Sequence, residues 1–210
     1  MMLLTLLSLL LAASPQQSFS QFTYCRDTAN ASTSFQTLCI QLDPDGIGEA
    51  RFKRQDDDDI RLRIELSPGG KTQFLNVLAG TKYLANSVNY ESKRKVANLG
   101  QKHLTLQLPT GKREATFNYS EVKEVTALVT FFEGLITQET VVVDLQWAAQ
   151  FDRLGIPERL DQLEKFLSSG RLADPKSLTS ALDIIVGDDR NLNYARTHAR
   201  DLKERIVAAK

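Results

Sequence analysis

The chain has 210 residues, of which 42% are hydrophobic, and its 26 Lys and Arg balance 26 Asp and Glu. That balance excludes a global field drawing nucleic acid or an anionic membrane, so any partner must be selected locally. Beyond the leader described next, about 190 residues suffice for one good core or two small ones, so one body, at most two-lobed, is expected.

Residues 1–25 carry no charged side chain, and the leucines between Leu3 and Leu11 form a short apolar run before Ala12 and Ala13. An export signal needs an apolar core of about 7–15 residues, whereas a bilayer span needs about 20. The run therefore predicts a signal peptide over residues 1–20, although only the amino terminus supplies its positive charge. Ser18 and Ser20 suit a cut after Ser20 and a mature start at Gln21, while Pro15 disfavours a cut after Ser14. Cys25 lies too far beyond Ala13 for a lipid anchor. The expected location is secreted or periplasmic, with no stable membrane span once the signal is removed. Export makes a disulfide between the only two cysteines, Cys25 and Cys39, tenable. Closing that loop stabilises a fold by roughly 3 kcal/mol in the chain-entropy model, and the expected role is a staple on the N-terminal arm. Cys-x-x-Cys redox spacing is absent.

Leu38, Ile40 and Leu42 alternate with Thr37, Cys39 and Gln41, the period of a strand with one buried face. Asp43, Pro44, Asp45 and Gly46 make a turn, and a second strand returns through Ala50 and Phe52 to Arg54. After an acidic turn at Asp56, Asp57, Asp58 and Asp59, Ile60, Leu62, Ile64 and Leu66 form the clearest strand. Ser67 and Pro68 open a helix whose Phe74, Leu75, Val77 and Leu78 share a stripe, and Gly80 ends it. Residues 81–101 read as loop. Leu104, Leu106 and Leu108 make another strand, and Pro109, Thr110 and Gly111 turn it back through Ala115, Phe117 and Tyr119.

From Ser120, expected as an N-cap, the period becomes helical through Val122, Val125, Leu128, Val129, Phe132, Leu135 and Ile136. Unbroken to Leu154, this helix would be about 52 Å long, but Gly134 and the β-branched Val141, Val142 and Val143 suggest a break near 137–140. Trp147, Phe151 and Leu154, spaced by four and three, read as core. Gly155 stops the helix, Pro157 starts another, Gly170 stops that, and Asp174 with Pro175 starts a third ending at Gly187. Leu192, Ala195, Ala199, Leu202 and Ile206 form a narrow seam on the last helix. Ser120 marks the only candidate boundary, so the chain divides into signal 1–20, β-rich part 21–119 with one helix, and helical part 120–210.

Catalytic signatures are weak throughout. Gly69, Gly70, Lys71 and Thr72 follow a strand and open a helix as a phosphate-binding loop does, yet Glu65 stands where the loop needs its first glycine. The acids Asp43, Asp45, Glu49 and those at 56–59 lack calcium-loop spacing and belong to opposite ends of their shared strand. His103 and His198 are the only histidines, one expected on the polar side of a strand and one beside the last helix's seam. The Ser92/Lys95 and Ser120/Lys123 pairs lack the supporting motifs of a Ser-x-x-Lys enzyme. Lys93, Arg94, Lys95, Lys102, Lys112 and Arg113 form a basic run suited to steering an acidic partner, but Tyr90 is the only nearby aromatic for stacking bases. Asn30 and Asn118 stand in N-glycosylation sequons.

From Ser34 to Tyr119 the plan of strands, helix and hairpin resembles emfourin-type protein inhibitors of metalloproteases, through Asp45 and Gly46 turning into the second strand, residues 61–66 as the third, and Ser67 and Pro68 opening the helix. The resemblance covers under half the chain and carries over no inhibitory residue. The chain also resembles exported bacterial proteins of unknown function. The expectation is an α+β body, a small antiparallel sheet with one covering helix followed by about four C-terminal helices. It is read as a non-enzymatic interaction module, without cofactor or metal, for another exported or envelope protein and not for nucleic acid. The alternative is a hydrolase using carboxylates or a histidine in a groove between sheet and helices.

Overall fold

The computed structural model describes residues 18–28, 35–53, 59–82, 89–98 and 100–209. The leader's residues 1–17, the Asn30 sequon, Arg54 and the acids at 56–58 lie outside the described residues. In chain order the elements are β1 (Gln21–Asp27), β2 (Thr37–Leu42), β3 (Ile47–Lys53), β4 (Ile60–Glu65), α1 (Pro68–Gly80), β5 (Lys102–Leu108) and β6 (Gly111–Phe117). The helices α2 (Lys123–Phe151), α3 (Ile156–Ser168), α4 (Thr179–Gly187) and α5 (Asn193–Ala208) complete the α+β architecture.

The strands pair antiparallel in the order β4-β3-β2-β1-β5-β6. Tight turns join β2 to β3 and β5 to β6. At the β2–β3 turn, Asp43 Oδ1 accepts from the backbone N–H groups of Asp45 and Ile47, while Gly46 supplies a positive φ of 78°. Strand β1, in the stretch expected to be an N-terminal arm, is interior and joins the β2–β3–β4 unit to the β5–β6 hairpin. Its partners explain the cysteine spacing. Cys25 stands directly opposite Cys39 and is disulfide-bonded to it, so the staple ties two interior strands and not a loose arm.

Alternation sends Phe22, Tyr24, Ile40, Leu42, Phe52, Leu104 and Leu106 to one face, where α1 and the first half of α2 bury them with Phe74, Phe131, Phe132 and Leu135. Each such side chain contributes roughly 1.5–3 kcal/mol by leaving water. The opposite face carries the rung Thr116, His103, Cys25, Cys39, Arg51 and Arg61.

Several expectations for the helical part are corrected. Helix α2 runs unbroken through 137–140, begins at Lys123 and has Val122, not Ser120, at its N-cap. Gly134 is a contact, not a weak point, because a Cβ there would lie 3.0 Å from Ala173. Trp147, Phe151 and Leu154 are 51%, 65% and 78% exposed and do not belong to the core. The third helix starts with a 3₁₀ turn at Pro175–Leu178 before α4, and Leu192 stands exposed ahead of the α5 seam.

Helix α2 serves two cores. Its residues to Ile136 pack on the sheet, while Val141, Leu145 and Ala148 join α3, α4 and α5 through Leu160, Leu163, Leu182, Ala199 and Leu202. The packing boundary therefore falls inside α2 and not at Ser120. By length and composition α2 could cross a membrane, but 56% of its apolar window is buried, so packing accounts for that apolarity.

Candidate functional site

The six basic residues of the predicted patch do not converge. Lys93, Arg94 and Lys95 are exposed on the 89–98 segment, where Arg94 pairs with Glu121 at 3.4 Å. Lys102 turns inward, donates to the carbonyls of Asn118 (2.8 Å) and Gly100 (3.3 Å), and burial lowers its pKa. Lys112 pairs with Glu114 at 2.8 Å. Because Lys102 stands opposite Phe117 and Lys112 opposite Gln107, five residues, about 17 Å of strand, separate them, with Arg113 at the Lys112 end.

Neither histidine meets a buried acid. His103 Nε2 lies 3.0 Å from Asp27 Oδ2 and its Nδ1 3.0 Å from Thr116 Oγ1 on the exposed sheet face. His198 Nε2 lies 3.3 Å from Glu164 Oε2 on the flank of α5, and Arg205, also bonded to Glu164, lowers that carboxyl's pKa. Asn118 donates its side-chain N–H to Ala97 O at 3.0 Å. Among the described residues, no three or more His, Cys, Asp or Glu are grouped to hold a metal.

The α1 N-terminus has no vacancy for phosphate, because Asp174 occupies it. Asp174 accepts from Ser67 N–H and Ser67 Oγ, each at 2.6 Å, and Ser67 Oγ in turn accepts from Gly70 N–H. Gly70 is needed for this approach: a Cβ there would come 2.5 Å from the Asp174 carboxyl. Lys71, which a phosphate-binding loop would point at its ligand, instead pairs with Asp45 at 2.8 Å.

Two surfaces remain with the character of sites. The first is the exposed apolar row. Trp147 and Phe151 stand with ring centroids 5.8 Å apart, and the Arg159 guanidinium lies 5.6 Å from the Trp147 ring. Arg159 is fixed there by Asp152 (3.1 Å) and Gly155 O (2.9 Å). Nearby, Arg153 lies 4.0 Å from Asp188, which Arg190 holds with two bonds of 2.8 Å, drawing the Asp188 pKa down to about 2. The charges around the aromatic pair are thus largely neutralised among themselves.

The second is a pocket of about 330 Å³ between β4, α2 and α4, in the sheet–helix groove that the hydrolase alternative requires. Leu62, Val142, Ala181 and Ile184 form apolar walls, and Glu139, Gln146, Ser177 and Ser180 add polar groups. Glu139 is only 6% exposed; burial chiefly, with the Asp174 charge, pushes its pKa up to about 7 against the hydrogen bond from Gln138. Gln138 Nε2 donates to Glu139 Oε1 (3.1 Å) and to Ser177 Oγ (2.7 Å), and Gln138 Oε1 accepts from Asp174 N–H (3.1 Å). This network lies between the two cores.

A third cluster joins the sheet to α2. Tyr24 OH donates to Glu133 Oε1 and Arg26 Nη1 to Glu133 Oε2, both at 2.5 Å. Burial raises the Tyr24 pKa, so the phenol stays protonated as the donor. Sequence reasoning missed this cluster and Glu139; the signals available were acids inside an otherwise apolar α2. No protein-family model matches the chain, and no curated protein matches it either.

Proposed function

We propose that this chain is an exported, non-enzymatic interaction module that docks a partner protein through Trp147, Phe151 and Leu154. The exposed row carries this reading: two aromatic rings and a stacked arginine are the residue types that dominate binding energy at protein interfaces. Exposing them to water is unfavourable unless something covers them. The surrounding ion pairs leave no strong positive field, which favours a protein with a concave apolar surface over an anionic bilayer. The partner is an exported or envelope protein, since the Cys25–Cys39 disulfide is compatible with an extracellular or periplasmic location. The hydrolase alternative is less supported: the sheet–helix groove holds neither histidine, and of its two carboxyls Glu139 is buried while Glu65 is largely exposed and paired with Arg63.

Phe19 bears on the leader. Its ring packs edge-on against Phe74 with centroids 6.1 Å apart, and Ser20 N–H extends the pairing of β1 with β5 at 2.9 Å. Signal cleavage upstream of Phe19 would keep this contact, whereas a mature start at Gln21 would remove it. The mass of the exported chain tests this.

Docking is tested with Trp147→Ser/Phe151→Ser and a photo-crosslinker at position 154. A partner cross-linked by the wild-type surface and lost with the double variant, whose circular dichroism and Tm stay unchanged, is expected. Identical recovery by both proteins, or binding of the wild type to lipid vesicles alone, overturns the proposal.

A further inference from the structure

The pocket beside β4 has a recognition chemistry independent of the docking row. Glu139 is more than nine-tenths buried yet lines a cavity, and among the described residues only Gln138 Nε2 reaches its carboxyl, at Oε1. The second oxygen is left for a guest. Asp174, whose carboxylate is already held by Ser67, contributes negative potential without offering a binding oxygen. At the mouth, Arg63 pairs with Glu65 at 3.8 Å and both are largely exposed, so neither sign prevails there. Ser180 Oγ and the Gln146 carbonyl add acceptors, and the aliphatic walls suit methylenes. A volume of about 330 Å³ lies at the lower end of small-molecule pockets, which run ~300–1,000 Å³.

From this arrangement we infer that the pocket binds a protonated amine or guanidinium on a short alkyl stem, with the Glu139 carboxylate as counter-ion. Such a cation supplies the donors that the free oxygen lacks and removes the unfavourable burial of the charge, while its stem covers Leu62, Val142 and Ile184. The head is presented either by a free small amine or by a Lys or Arg side chain of a polypeptide. Binding ionises Glu139 and therefore releases a proton near neutral pH.

The test is an NMR titration of the oxidised full chain with n-butylammonium, n-butylguanidinium, N-acetyl-lysine methylamide and, as neutral control, n-butanol. Saturable shifts at the Glu139, Ser177 and Ser180 amides are expected with the cations and not with butanol. The Glu139 pKa of about 7 makes the affinity rise about tenfold from about pH 6 to about pH 8, as the ionised fraction does. Glu139→Gln, which retains an acceptor for Gln138, is expected to weaken binding at least ~10-fold and abolish the pH dependence. Ser180→Leu fills the pocket rim without replacing the carboxyl and provides a second loss variant should the first fail to fold. Tighter binding of the lysine derivative than of butylammonium assigns the head to a polypeptide, and the reverse order to a free amine; both uphold the site. Equal binding of butanol, unchanged affinity in a folded variant, or no saturable shift with any cation overturns it.

Discussion

Replacing Glu139 by glutamine separates the burial of a carboxyl from the burial of its charge. In the folded protein this group titrates near 7, against an ordinary value of 4.5. The sign follows from proton uptake. Between those values the folded chain holds a proton that the unfolded chain has released, so the wild type's stability contribution from Glu139 is complete below about pH 4.5 and is lost as pH rises through about 7. The shift corresponds to about 3 kcal/mol over the full window, most of which falls between about pH 5 and about pH 8. The groups facing Glu139 are Gln138 on its own helix, Asp174 and Ser177 from the 3₁₀ segment, and Arg63 and Glu65 on β4. Apart from Glu139 itself, the titratable groups are shared by wild type and E139Q, so their contributions largely cancel in the difference. Urea unfolding of both proteins across this pH range, disulfide intact, reads the effect directly. E139Q is expected to gain on the wild type by roughly 2–3 kcal/mol as pH rises. Difference curves flat to within about 0.5 kcal/mol would refute the reasoning, because a carboxyl kept wet in both states leaves no linkage.

The double variant Cys25→Ser/Cys39→Ser is expected to lose roughly 3 kcal/mol, appearing as a Tm lower by roughly 6–12 °C; an unchanged melting curve under oxidising conditions counts against the closed loop. Gly70→Ala pushes a methyl group into the Asp174 carboxyl and is expected to destabilise by about 1–3 kcal/mol in urea, whereas an effect near zero would mean that the α1 cap and Asp174 do not meet. Tyr24→Phe removes the phenol donor while Arg26 still holds Glu133; the expected loss is about 1–2 kcal/mol by chemical denaturation, and a gain would place water on that carboxylate.

Much of the architecture was legible along the chain because it depends on local periodicity. Alternation in residues 37–42, 60–66 and 104–108 identified strands, and Ser67 with Pro68 marked the start of α1. Strand β1 escaped because its Phe22 and Tyr24 alternate over only a few residues beside the leader, and its interior place depends on partners up to 86 residues away. The break expected at 137–140 marked a real transition of another kind. Thr137, Gln138, Glu139 and Thr140 interrupt the apolar stripe because one core ends there and the next begins, while the backbone hydrogen bonds continue. Trp147, Phe151 and Leu154 failed as a core assignment because spacing places residues on one helix face without saying what stands opposite.

The candidate sites were less legible for the same reason. Carboxylate chemistry depends on what surrounds the group, and Glu139 acquires its high pKa from burial between β4 and α4, which approach it from distant parts of the chain. By itself the sequence determined strand and helix periods, turns and caps, charge balance and the opportunity for a single disulfide, all set by residue chemistry over a few positions. Tertiary structure decided that β1 is interior, that α2 serves two cores, that the aromatic row is uncovered and that a pocket forms at Glu139. These outcomes depend on which faces find partners, and burial, desolvation and exposure arise only once distant segments meet.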